Sequence, residues 1–139
     1  MALSSPSTVQ TPEALLVRLR QLEVALRGDG RVVFPAVYVA ITKAAVKLIA
    51  DGGLKDAEKG RALIVDFGQR YLQALHAQVT GGSIPAPWRR HFELATEGAP
   101  SLRAAASAIN AHLSIDLAEA LVSSRWRIEG CPPISDRFS

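Results

Sequence analysis

The stretch Ile109-Asn110-Ala111-His112-Leu113-Ser114-Ile115-Asp116-Leu117 holds the residue types best suited to chemistry. His112 and Asp116 are four apart, so on a helix they sit one turn from each other. Leu102, Ala105, Ile109, Leu113 and Ala120 read as the buried stripe of that helix. Asp116 falls inside the stripe and His112 on its flank, with Asn110 on the opposite flank. A carboxylate among apolar neighbours must be paired or protonated, because an isolated buried charge is too costly. His112 is its nearest partner, and Arg70 on the third helix is another.

Three chemistries fit the pair. As a structural network, Asp116 accepts hydrogen bonds and fixes helix register. As a catalytic pair, Asp116 orients His112, whose free nitrogen acts as general base or acid. As a metal site, both would ligate from one helix, with further ligands from elsewhere. No spacing places His76 or His91 near them, so no metal ligand set and no cofactor is assigned.

Other residues carry weaker signals. Asp66 and Arg70 are four apart and read as an intrahelical ion pair. Tyr38 and Tyr71 lie on apolar faces, as core or as pocket lining. Trp88, in Pro85-Ala86-Pro87-Trp88-Arg89-Arg90-His91-Phe92, reads as a hydrophobic plug flanked by exposed arginines. Cys131 is the single cysteine, which excludes an internal disulfide and lacks a paired histidine. There is no glycine-rich phosphate loop after a strand and no GxSxG elbow.

Helices must position these groups. Thr11 caps the first, with Pro12 at its first position and Leu15, Leu19, Leu22 and Leu26 on one face. Gly28-Asp29-Gly30 ends it. The second begins near Arg31 and turns Phe34, Val37, Tyr38, Ile41, Ala45 and Leu48 inward. Asp56 caps the third, whose inner face is Leu63, Phe67, Tyr71, Ala74 and Gln78. Gly68 inside it suits close helix packing. Pro87 opens a short fourth helix carrying Trp88, His91 and Phe92. The fifth runs from about Ser101 to about Ser123. No segment alternates with strand period. The fold class is all-α, one small bundle-like domain of four to five helices. It occupies residues 11–127, between a disordered segment 1–10 and an irregular tail 128–139.

Composition agrees with a globular chain: 139 residues, 48% hydrophobic and 21% charged. Lys and Arg number 16 against 13 acids, a net charge of +3. The basic residues are scattered, with local clusters only at Arg89-Arg90 and Arg125-Trp126-Arg127, so nucleic acid is not an expected partner. Charged residues break every apolar run short of the ~20 residues a membrane helix needs. The start MALSSPSTVQ lacks the pattern of a signal peptide. A cytoplasmic location, with no membrane partner, is the expectation.

Several segments together resemble a bacterial family, mainly actinobacterial, known as domain of unknown function 5995. They are Gly30-Arg31-Val32-Val33-Phe34 with Tyr38 and Thr42; Asp66-Phe67-Gly68-Gln69-Arg70-Tyr71-Leu72; Ala86-Pro87-Trp88 with Phe92; and Asn110 to Leu117. The likeness covers about residues 12–122 and departs at Ser114, where the family usually has Asn. It implies an α-helical domain, and it singles out Tyr38, Arg70, Tyr71, Asn110, His112 and Asp116. Members of the family usually continue with further helices, so the resemblance implies that these are absent here or that another subunit covers the exposed core.

The leading expectation is a pocket protein that binds or transforms a small, largely apolar molecule, by acid–base chemistry or a cyclisation. His112 and Asp116 are its catalytic pair. Tyr38, Arg70, Tyr71 and Asn110 are its substrate-binding residues. One alternative is a non-catalytic module that forms a homo-oligomer or binds a partner chain, with the pair as a structural network. Another is a metal-dependent hydrolase.

Overall fold

The computed structural model describes residues 8–129, with side chains as far as Ser123. Cys131, residues 1–7 of the expected N-terminal segment and residues 130–139 of the expected tail lie outside the described residues. So do the side chains of Arg125, Trp126 and Arg127.

The described residues form helices and no strand. Helix α1 (Pro12–Ala25) starts where the Thr11 hydroxyl accepts from the Ala14 amide at 3.0 Å. Its inner face is Leu15, Leu19 and Leu22, continued by Leu26, as the spacing predicts. A short 3₁₀ turn (Gly30–Val32) leads into α2 (Val33–Ala50). Asp56 accepts from the Lys59 amide at 3.0 Å and opens α3 (Ala57–Thr80), which stops at left-handed Gly81. Helix α4 (Ala86–Thr96) follows Pro85. Then α5 (Ser101–Ala111), a π-helical segment (His112–Leu117) and α6 (Ala118–Glu129) run on without a break.

Helix α1 packs on α2 and α3, α2 also meets α5, and α4 lies along α5. Helix α3 runs beside the π segment and α6. Two glycines permit the closest approaches. A Cβ on Gly68 would overlap the Leu15 side chain, so this glycine lets α1 settle on α3. A Cβ on Gly30 would overlap the carbonyl oxygen of Ala95, so the 3₁₀ turn lies directly against α4.

Three expectations are corrected. On α2, Ile41 and Leu48 are 48% and 52% exposed, while Thr42 is buried in line with Phe34 and Tyr38. On the last long helix, Leu102, Ile109 and Leu113 face outward, and the buried line is Ala104, Ala108, Ala111, His112, Asp116 and Ala120. The reason is helix proximity: His91 Nδ1 lies 2.9 Å from the backbone oxygen of Ala104, so this seam of α4 and α5 admits only small side chains. That helix is also not a uniform α-helix ending at Ser123, because the π segment interrupts it and it continues to Glu129.

One stretch, Gly30–Ala50, is long and apolar enough to cross a membrane by length and composition. Arg31, Lys43 and Lys47 do not break it up as the sequence reading supposes. Phe34, Tyr38, Val39 and Thr42 of this helix are buried in the domain.

Candidate functional site

The π segment brings His112 and Asp116 together at the centre of the domain. His112 Nδ1 is 2.7 Å from Asp116 Oδ2, and the two side chains are 6% and 4% exposed. Trp88 Nε1 donates to the same oxygen at 2.9 Å, from α4. Beside a carboxylate, Nδ1 is the nitrogen that carries the proton, so the neutral ring keeps its lone pair on Nε2. Nε2 is buried and has no hydrogen-bond partner. Burial lowers the proton affinity of His112 below that of an ordinary histidine; the bond to Asp116 opposes this and is the smaller effect. The pair is therefore an oriented, neutral imidazole with an unused basic nitrogen.

Aromatic rings enclose it. Phe67 lies flat on the imidazole, with centroids 3.6 Å apart and planes at 9°. Tyr38 and Phe34 meet it edge-on at 4.7 Å and 5.2 Å. Phe67 is only half-buried, whereas Phe34 and Tyr38 are fully inside.

The other sequence candidates divide. Tyr38 touches the imidazole, and burial, aided by the nearby Asp116 charge, pushes its hydroxyl far up. Tyr71 stands further out, 6.5 Å from the imidazole, with a buried hydroxyl that has no partner. Arg70 does not pair with Asp116. It lies 3.5 Å from Asp66, as the spacing predicts, and 2.6 Å from Glu119. Arg70 and Asp116 instead share the wall of one cleft of about 180 Å³. Asn110 is exposed and is not brought to the pair. Ser114 is exposed too, so the departure from the family pattern there leaves the polar network intact.

Sequence reasoning missed two members of the site. Trp88 is a plug, as expected, but its indole N–H is also the second donor to Asp116. A fully buried indole needs an acceptor, which is the signal that could have found it. Phe67 reads as core, yet it is the ring stacked on His112. No group of three His, Cys, Asp or Glu suited to a metal ion occurs among the described residues.

The model of a family described as a family of unknown function (DUF5995) matches residues 13–137. No curated protein and no solved structure matches the chain.

Proposed function

We infer a role from the premise that this chain belongs to DUF5995, a family of unknown function: it binds a small, largely apolar molecule at His112 and exchanges a proton with it. The observation that carries this reading is the buried, unpartnered Nε2 of a histidine whose other nitrogen is fixed by Asp116. A buried polar atom without a partner costs about 1–3 kcal/mol, and such sites persist where the atom has a use. The π segment supports the same reading, since single π turns inside α-helices are frequent at functional sites. Aromatic walls suit an apolar ligand. Rotation of half-buried Phe67 would uncover the imidazole face. A proton acceptor in such a box fits isomerisation or cyclisation, in which shape also contributes. The reading places the chain in the cytoplasm, with α2 as a core helix.

Native mass spectrometry of the purified protein and of His112→Asn tests it. The amide at position 112 can still donate to Asp116 but lacks Nε2. A small molecule carried by the wild type and lost from the folded variant is the expected result. A bare wild type, whose His112 Nε2 resonance is also unmoved by added indole, overturns it.

A second reading has its own support. Leu102, Ile109 and Leu113 leave an apolar row exposed along α5 and the start of the π segment. In this reading the chain self-associates through that row and the His112–Asp116 pair only fixes helix register. Light scattering on wild type and Ile109→Glu separates dimer from monomer.

A further inference from the structure

We propose that the cleft beside Asp116 binds a compact organic ammonium, a protonated primary amine on a short apolar body. The cleft lies between α3, the start of α4 and the π segment, and its walls include Arg70, Ala77, Trp88, Ile115, Asp116 and Glu119. Both hydrogen bonds to Asp116 fall on Oδ2. Oδ1 takes none among the described residues, although the side chain is only 4% exposed. A carboxylate oxygen that takes no hydrogen bond and stands on the wall of a cleft is an acceptor for a charged donor.

The charges fix the sign of the ligand. Arg70 is the one cation of the cleft wall, and it is already engaged by Glu119 at 2.6 Å and Asp66 at 3.5 Å. An anion would find no uncommitted positive charge and would meet Asp116. An ammonium meets Asp116 directly. Ala77 and Ile115 supply apolar wall for its carbon chain. The volume of about 180 Å³ equals roughly six waters at ~30 Å³ each, which sets the size of the ligand. The inference shares Asp116 with the proposed function but does not require Nε2 to be reactive.

The test is an NMR titration of the full chain, read at the Trp88 indole N–H, with n-butylammonium, 1-butanol and butyrate. Butylammonium is expected to give a saturable shift. Butanol and butyrate are expected to bind at least about tenfold more weakly, the ratio for one lost charge-assisted hydrogen bond. Ala77→Leu fills the cleft without touching the donors to Asp116 and should abolish the butylammonium response. Equal responses to the three probes, no saturable shift, or undiminished binding in Ala77→Leu would each overturn the proposal. In His112→Asn the butylammonium response is expected to persist even where the apolar ligand of the proposed function is lost, so the two ideas fail separately.

Discussion

His112 and Asp116 meet across one turn of π-helix, Nδ1 to Oδ2 at 2.7 Å, and so the tautomer of the imidazole is set before any ligand arrives. Trp88 holds the same oxygen from another helix, which fixes the carboxylate that fixes the ring. This is the logic by which outer partners orient a working histidine.

Asp116→Asn keeps the shape and removes the charge. Hydrogen bonds to charged groups contribute about 1.5–3 kcal/mol and neutral ones about 1 kcal/mol, and two of them change from the first kind to the second, so a loss of about 1–4 kcal/mol is expected in urea unfolding. Nitrogen NMR of His112 should also show its proton divided between the two ring nitrogens. An unchanged tautomer would mean that the carboxylate does not set it.

Trp88→Phe retains an aromatic plug and deletes the indole donor. The expected cost is about 1–3 kcal/mol, with the His112–Asp116 bond preserved. Loss of that bond as well, seen as a changed Nδ1 proton signal, would make Trp88 the organiser of the pair.

The fold was legible where the cause is local. Thr11-Pro12 and Asp56 announce helix starts because capping needs only the residues themselves. The leucine face of α1 was equally plain. The face of α5 was not, because its burial depends on how near α4 comes. With His91 reaching the Ala104 backbone, alanines occupy the seam and the larger Leu102 and Ile109 turn outward. The π segment has no local signal at all. Of the site, His112 and Asp116 could be found by spacing. Phe67 and Trp88 could not be joined to them without knowing which helices touch.

Acid should destabilise the domain in a defined window. Burial holds both His91 and His112 below the ordinary histidine value. The unfolded chain therefore takes up protons that the folded chain refuses as pH falls below ~6.5. Stability is full above that pH and declines below it, by up to about 1.4 kcal/mol per pH unit for each histidine, until the folded values are reached. The lowered carboxylates Asp29 and Glu13 act only nearer pH ~4, so they leave the window clear. Urea unfolding at pH 7.5 and 5.5 should show the loss, and His112→Asn should reduce it. A flat profile would contradict the burial of both rings.

Gly30→Ala and Gly68→Ala should differ in severity. The first drives a methyl into backbone at Ala95, which cannot step aside; the second meets the side chain of Leu15, which can change rotamer. Overpacking costs about 1–3 kcal/mol, with Gly30→Ala expected at or above the top of that range. Thermal unfolding of the two variants side by side gives the order.

The π turn holds one residue more than a regular α-helix would need there. In α geometry the row Ala104, Ala108 and Ala111 continues inward at positions 115 and 119; the extra residue moves it on to Asp116 and Ala120. Ser114 is exposed. An in-frame deletion of its codon would let the helix close into regular α geometry, and the lost residue and the lost π turn would cancel, so Asp116 and Ala120 would keep facing the core. A single lost codon on the surface would therefore leave the interior lined as before.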